Sequence, residues 1–300
     1  MAHLEDQQSE KATVCVMDAS GVLGLSLVHH LLQRGYFVHA ATIDGNEGDL
    51  NGLEEESCSN KRLKIFRADT FDYQSITNAI RGCSCLFYSF EPNLEECSYD
   101  ELMAEVEVRA AHNVLEACAQ TETVERVVFT SSVTAVVWKE DHKSEAQVDE
   151  RSWSEPNFCR KFKLWHGLAK TLAEKTAWAL AMDRGVDMVS INAGLLLAGA
   201  QLSPSSPYLK GAPEMYESGV LVTVDLQYLV DAHICVFENL AAFGRYICFN
   251  HTITRPEDAL KLAQLLDPSS KPCSPSSDEL RIVQQKIQNK KLTELMMELA

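Results

Sequence analysis

A strand–helix–strand pattern at the start of the chain constrains the fold more than any other feature of the sequence. A short apolar run, Thr13–Met17, is broken at residues 18–21, and residues 22–32 then repeat apolar side chains with helical spacing. Gly35 follows as the expected end of that helix, and residues 36–42 form a second apolar run. Two parallel strands need a crossover connection, which a helix between them supplies. The pattern therefore predicts a βαβ unit within a parallel sheet.

The same alternation continues through the next 150 or so residues. Further strands are predicted at 63–66, 84–88, 126–130 and 188–191, and helices at about 73–81, 99–119 and 164–182. Strands that alternate with helices along a chain form a sheet with helices on both faces. We therefore expect an α/β fold built on a Rossmann-type doubly wound parallel sheet.

The regular alternation of predicted strands and helices ends at Gly194. Residues 201–213 are rich in Ser, Pro and Gly and predict a loop over the site; a helix at 226–237 and a strand at 244–249 follow. Pro256 is placed to begin another helix, and 268–275 reads as a linker before a polar C-terminal helix. We expect a flexible N-terminus at 1–10, a dinucleotide-binding domain at 11–193 and a smaller substrate-side lobe at 194–300, with strand exchange between the two allowed.

The charge balance excludes two classes of partner. Lys and Arg number 27 against 43 Asp and Glu, which gives a formal net charge of −16. Such a chain repels nucleic acid and anionic lipid. The first ten residues are polar and acidic without a basic or apolar leader region, and no apolar run approaches a membrane span. We therefore expect a cytoplasmic protein with no nucleic-acid partner and no membrane partner.

Ten cysteines are scattered along the chain. Several fall within predicted strands or helices, where a reduced thiol behaves as a small apolar side chain. The pair Cys83 and Cys85 lacks metal-ligand spacing and has no second Cys or His pair nearby. We expect no disulfide and no metal site.

The segment Val-Val-Phe-Thr-Ser-Ser at 127–132 is the most specific motif of the chain. It is accompanied by Val-Asp-Glu-Arg-Ser-Trp-Ser at 148–154, Phe-Cys at 158–159, Asn-Val-Leu-Glu-Ala at 113–117, and shorter pieces at 34–36 and 244–246. From Val14 to Phe249 the chain resembles the extended short-chain dehydrogenases/reductases, specifically the plant cinnamoyl-CoA reductase and dihydroflavonol reductase group. The stretch Lys-Leu-Trp-His…Lys at 163–170 resembles an atypical cinnamoyl-CoA-reductase-like clade of that group.

The resemblance implies a fold, a reaction and a site. It implies an enzyme that binds NADP or NAD and reduces a carbonyl or acyl thioester of a small phenylpropanoid-like molecule by hydride transfer. Ser132 corresponds to the serine that hydrogen-bonds the substrate carbonyl, and Lys170 to the lysine that binds the nicotinamide ribose. Gly21 and Gly24 correspond to the second and third glycines of the phosphate loop, and Asp69 to the residue that contacts the adenine. The remaining residues expected along the cofactor are Asp18, Ser20, Val22, Leu23, Asp44, Thr70 and Ala193.

The acid position departs from the family pattern. In short-chain reductases a Tyr lies four residues before the Lys, so that both share one helix face. The Lys charge lowers the pKa of the phenol, which protonates the substrate oxygen as hydride arrives. This chain keeps Lys170 but has His166 in place of the Tyr. The resemblance thus places the catalytic residues at Ser132, His166 and Lys170, with altered acid chemistry.

The first glycine of the phosphate loop is also replaced, by Asp18. A carboxylate about 4 Å from a phosphate charge costs on the order of 4 kcal/mol at an effective dielectric of 20, which weakens binding by roughly a thousandfold. The side chain can also cap the following helix by accepting the N–H of Ser20 or Gly21, which would fill the anion site. The alternative is an Asp18 rotated to solvent, with cofactor affinity only slightly reduced.

Four further departures fall near the expected cofactor site. Ile43 and Asp44, followed by Glu47 and Asp49, replace the cation that recognises a 2′-phosphate, so a preference for NADPH is doubtful. In the other three, Phe90 and Glu91 occupy a turn where the family has a small residue, Ala193 replaces a Pro, and Arg109 replaces a helix Asn that assists proton relay.

His166 has three alternative roles. Neutral imidazole is a poor acid, because donating its proton leaves imidazolate. Imidazolium is a competent acid, but Lys170 nearby should lower the His pKa from about 6.5. The third role is structural, with His166 hydrogen-bonded to Ser132 and taking no part in catalysis.

Two functions follow from these observations. The first is a weakly active reductase of the cinnamoyl-CoA-reductase-like type. The second is a catalytically inactive member of the group that uses the same cleft to bind a ligand or a protein partner, in plant defence or phenylpropanoid regulation.

Overall fold

A seven-stranded parallel sheet forms the centre of the molecule. The computed structural model describes residues 12–43, 50, 62–90, 99–140, 147–198, 204–268 and 282–298. The strands of this sheet are β1 (Thr13–Met17), β2 (Phe37–Thr42), β3 (Leu63–Arg67), β4 (Cys85–Tyr88), β5 (Arg126–Ser132), β6 (Asp187–Ala193) and β9 (Gly244–Cys248). Their order is β3-β2-β1-β4-β5-β6-β9, which confirms the predicted doubly wound architecture.

Helices cover both faces of this sheet. Their bounds are α1 (Val22–Gln33), α2 (Tyr73–Ile80), α3 (Glu101–Ala119), α4 (Pro156–Lys161), α5 (Trp165–Arg184), α6 (Ala212–Glu217), α7 (Leu226–Glu238), α8 (Pro256–Leu266) and α9 (Lys290–Glu298). Buried side chains of α1, α7 and α9 share one apolar cluster with the sheet, and those of α2, α3 and α5 share another. Apolar stripes on the helices thus cover a sheet whose central strands are buried on both faces.

The predicted helix ends differ from the observed ones by one or two residues. The helix predicted at 99–119 begins at Glu101, because the Asp100 carboxylate accepts the Leu102 N–H as an N-cap. The helix predicted to stop at 182 continues to Arg184, where Gly185, at φ 71°, provides the left-handed conformation that ends it.

The C-terminal third of the chain is divided between two sheets. Strand β9 pairs in parallel with β6 and so extends the main sheet. A second, three-stranded sheet is formed by β7 (Leu195–Leu197), β8 (Val222–Asp225) and β10 (His251–Thr252), in the order β10-β8-β7. The N-terminal ten residues and most of the predicted 268–275 linker lie outside the described residues.

The parallel register brings four strand ends to one edge of the sheet. Met17 of β1 pairs with Tyr88 of β4, and Ser132 of β5 pairs with Ala193 of β6. Ligands bind at this carboxyl edge in doubly wound folds, between strands whose crossovers run in opposite directions. The edge therefore locates the candidate site.

The described residues hold no helix of the length and apolarity needed to cross a membrane.

Candidate active site

A cavity of about 300 Å³ opens at the carboxyl edge of the sheet. Nine of the residues selected from the sequence line it: Asp18, Gly21, Val22, Leu23, Gly24, Ser132, His166, Lys170 and Ala193. Ser20 is exposed, and neither it nor Asp69 nor Thr70 is among the lining residues. Asp44 lies outside the described residues. The fold thus brings the glycine turn and the three expected catalytic residues to one cavity.

The turn between β1 and α1 has the backbone shape of a phosphate loop. Asp18 lies in the left-handed region, at φ 67°, a conformation that glycine adopts readily and Asp tolerates. A Cβ on Gly24 would lie 2.0 Å from the Asp18 carbonyl oxygen, so only glycine allows the helix to approach the strand this closely. The backbone at Asp18 and Gly24 therefore has the conformation and the close approach that favour glycine at both positions, although the first is an aspartate.

The Asp18 carboxylate lies over this turn. Its Oδ2 would be 2.9 Å from a Cβ placed on Gly21, and the residue is half-buried and lines the cavity. It is therefore not rotated away to solvent. The Gly21 N–H donates to the main-chain carbonyl of Asp18 at 3.1 Å, which closes the turn.

His166 is connected to Ser132 through an intermediate residue. Its Nδ1 lies 2.9 Å from the Thr134 hydroxyl, which donates to the Ser132 Oγ at 3.0 Å. The Thr134 N–H donates to the same Oγ at 3.2 Å. The direct hydrogen bond between His166 and Ser132 that the structural alternative assumed is therefore wrong, because Thr134, the second residue after β5, lies between them.

The pKa of His166 is lowered well below its usual value. Burial is the larger cause and the charge of Lys170 the second. The sequence predicted this direction from Lys170 alone. The imidazole is thus neutral near pH 7, and the imidazolium acid has no support in this geometry.

We expect His166 to stay neutral from pH 8 down to pH 6. Because its pKa is lower in the folded state than the unfolded value of about 6.5, its contribution to stability is present above pH 6.5 and decreases as the pH falls below it. Histidine side-chain NMR of the wild type and of His166→Asn identifies the resonance. A signal that titrates near pH 6.5 and disappears in His166→Asn would contradict the assignment.

Lys170 is held in a buried ion pair. Its Nζ lies 3.3 Å from Oε2 of Glu107 and donates to the Phe90 carbonyl at 2.8 Å. Lys170 is 6 % exposed and Glu107 only 2 %. The Tyr99 hydroxyl donates to the other oxygen of Glu107. Glu107 thus joins a phenol of the cavity to the expected catalytic lysine.

The sequence interpretation noted Arg109 of α3 as a departure from a family Asn and did not single out Glu107. Arg109 is exposed and lies over the Phe71 ring at 5.6 Å, away from the cavity. Glu107 faces the site, two positions earlier. A signal was available, because Glu107 falls on the apolar stripe that contains Ala104, Ala111 and Val114. An acid within such a stripe needs a buried partner.

A second cavity meets the first at Tyr99 and His166. Its other lining residues include Trp165, Lys163 and Lys210. Lys163 lies in the left-handed region, at φ 55°, two residues before the start of α5. Tyr99 is therefore accessible from two sides.

The sequence profile of the 3-beta hydroxysteroid dehydrogenase/isomerase family matches residues 15–187. The chain belongs to this family. Among curated relatives, cinnamoyl-CoA reductase 1 of Petunia hybrida is 34 % identical over 95 % of this chain and 87 % of its own length. Dihydroflavonol 4-reductase of Zea mays is 36 % identical over 82 % of this chain and 72 % of its own. The crystal structure of vestitone reductase from alfalfa superposes with a TM-score of 0.72 at 25 % identity, covering 95 % of this chain and 92 % of that one.

These matches confirm the resemblance drawn from residues 127–132 and its companion motifs. Members of the family are NAD(P)-dependent oxidoreductases. The backbone of the turn from Asp18 to Gly24 fits the pyrophosphate of such a dinucleotide, since the N-terminus of α1 faces the cavity. The Asp18 carboxylate opposes the same group by charge. The site therefore fits the cofactor in shape, and the charge of Asp18 is expected to weaken its binding.

Proposed function

We propose that the protein is a cinnamoyl-CoA-reductase-like enzyme that reduces a phenylpropanoid-type carbonyl or acyl thioester with NADPH or NADH at low turnover. The observation that carries this proposal is the convergence of the glycine turn, Ser132 and Lys170 on one cavity. The similarity to cinnamoyl-CoA and dihydroflavonol reductases supports the reaction class.

Ser132 is suited to orient the substrate carbonyl. Its oxygen accepts both the hydroxyl proton and the N–H of Thr134. The Ser132 hydroxyl proton is then left to point at a substrate oxygen in the cavity. The cofactor would be held by the turn at Gly21 and Gly24 and by Lys170, and when bound it supplies the hydride.

Low turnover follows from the acid position. His166 is neutral and hydrogen-bonded to Thr134, so it orients the Thr134–Ser132 pair rather than releasing a proton. Misplacement of a catalytic group by about 1 Å can cost a hundredfold in rate. A site without a phenol at position 166 therefore turns over slowly.

Calorimetric titration with NADPH and NADH tests the proposal most directly, followed by turnover with a cinnamoyl aldehyde and a cinnamoyl thioester. We expect binding of at least one dinucleotide and slow oxidation of the reduced cofactor with one of the two substrates. Absence of binding by both dinucleotides would overturn the proposal. The choice between them also tests the predicted effect of Asp44, Glu47 and Asp49.

A second candidate function, an inactive member that binds a ligand or protein partner in the same cleft, is favoured by one observation. The two groups that would contact the cofactor most closely are altered: Asp18 carries a negative charge, and the charge of Lys170 is balanced by Glu107. In this case the cavity would bind a phenylpropanoid-like molecule with no dinucleotide present.

The substitution His166→Tyr should raise turnover about tenfold, and more fully in combination with Asp18→Gly. A phenol at 166 shares a helix face with Lys170. The gain is limited because Lys170 is already paired with Glu107. Turnover of the two single variants and the double variant is compared at one cofactor concentration that does not saturate the wild type. A double variant no faster than wild type would show that position 166 does not limit the reaction.

A further inference from the structure

Two tyrosines are among the described residues that line the main cavity, Tyr99 and Tyr208. Both rings lie near His166, with centroids 5.6 Å and 6.0 Å from its ring. The Tyr208 hydroxyl donates to the Val222 carbonyl at 3.1 Å, which ties it to the backbone of β8. The Tyr99 hydroxyl bonds a titratable side chain, Glu107.

Tyr99 is coupled to the lysine that the family pairs with its catalytic phenol. Oε1 of Glu107 accepts a hydrogen bond from the Tyr99 hydroxyl, and Oε2 lies 3.3 Å from the Lys170 Nζ. The phenol oxygen is thus one carboxylate away from Lys170. Tyr99, which directly precedes the α3 N-cap residue Asp100, thus supplies a phenol linked to Lys170 through Glu107, although position 166 of α5 carries none.

The three groups form a neutral unit. The ammonium of Lys170 and the carboxylate of Glu107 cancel, so the phenol is not adjacent to an uncompensated buried charge. His166 offers no comparable proton, because its imidazole is neutral and bonded to Thr134.

We propose that Tyr99 is the general acid of the reduction described under the proposed function, on which this inference rests. The Tyr99 hydroxyl would turn from Glu107 to the substrate, and the carbonyl oxygen would take its proton while a bound dinucleotide supplied the hydride to the carbonyl carbon. The phenol O–H bond breaks and its electron pair remains on the phenolate. Solvent that reaches Tyr99 through the second cavity, which Tyr99 also lines, would return the proton. Glu107 and Lys170 are positioning residues for this phenol.

Tyr99→Phe and Tyr208→Phe form a matched pair for the test, since each removes one hydroxyl from one cavity. We expect Tyr99→Phe to lower kcat about a hundredfold, the lower range for loss of a general acid, with KM and dinucleotide affinity by calorimetry within about twofold of wild type. The kcat of Tyr208→Phe should decrease far less.

A second test needs no cofactor: the absorbance of tyrosinate is followed as the pH is raised. Replacing Glu107 by Gln leaves the Lys170 charge beside the phenol, so one tyrosine should ionise at lower pH in Glu107→Gln than in wild type. That shifted step should be missing from the double variant Tyr99→Phe/Glu107→Gln.

The outcomes separate the two proposals. If the wild type binds dinucleotide but reduces no substrate, both the proposed reductase activity and the role of Tyr99 as its general acid are overturned. A wild type that turns over while Tyr99→Phe retains its rate overturns only the assignment of Tyr99. Equal losses in the two Phe variants would assign the effect to cavity packing and likewise overturn it. An unshifted tyrosinate step in Glu107→Gln would contradict the coupling to Lys170.

Discussion

Arg245→Met is expected to destabilise the protein by about 3–5 kcal/mol, since it leaves a buried carboxylate without its counter-charge. Glu174 of α5 is fully buried, and Arg245 of β9 is 8 % exposed. Their closest atoms, Nε and Oε1, are 2.8 Å apart. The guanidinium also stacks on the Trp153 ring at 3.6 Å. A loss of this size is a large share of the roughly 5–15 kcal/mol typical of a folded domain.

The Glu174 carboxylate also connects the two strands beneath the cavity through hydrogen bonds. Ser131, Ser190 and Asn192 donate to Glu174, which lies one helical turn after Lys170. Loss of Arg245 therefore affects two strands that carry site residues as well as the helix. Urea denaturation of Arg245→Met, Glu174→Gln and the double variant measures the coupling between the pair.

A matched control comes from an exposed ion pair. Arg151 contacts Asp149 at 2.8 Å, but its side chain is 92 % exposed. Exposed pairs are screened by solvent and contribute little to stability, so Arg151→Met should leave the denaturation midpoint nearly unchanged. If Arg245→Met and Arg151→Met shifted stability equally, the buried pair would not have the structural role assigned to it.

The fold was largely predictable because its signals are local. The apolar run Thr13–Met17, the helical period that follows and the left-handed Gly35 depend on neighbours in sequence, and all are seen in the structure. The placement of β9 beside β6 was not predictable in detail, because it depends on contacts between segments about fifty residues apart.

The residues of the site were predictable where a sequence motif contains them. The contacts that their side chains make with other elements were less predictable. Ser132, His166 and Lys170, which the family resemblance selected, line one cavity. The insertion of Thr134 between His166 and Ser132, and the pairing of Lys170 with Glu107, depend on distances across elements. Arg109 was noted only as a departure at a family position, whereas Glu107, on the buried stripe of α3, was not singled out.

Asp18→Gly is expected to strengthen dinucleotide binding by about a hundredfold. The full repulsion between a carboxylate and a phosphate about 4 Å apart would correspond to roughly a thousandfold, and solvent around the half-exposed side chain reduces it. Glycine also adopts the left-handed conformation at this position without the cost of about 1 kcal/mol that a side chain incurs. Calorimetric titration of wild type and variant at matched salt measures the gain, which should decrease as salt is raised.

The variant Asp18→Asn distinguishes the effect of the negative charge from the effect of side-chain size at the same position. Asn tolerates the left-handed conformation and keeps the size of the side chain while removing its charge. If repulsion limits binding, the Asp18→Asn variant should recover most of the gain seen with glycine. A gain with glycine alone would show that the side chain fills the phosphate position, where its Oδ2 already lies against Gly21. No gain with either variant would contradict the role of Asp18 and assign the block to the bulky Phe90, whose carbonyl holds Lys170.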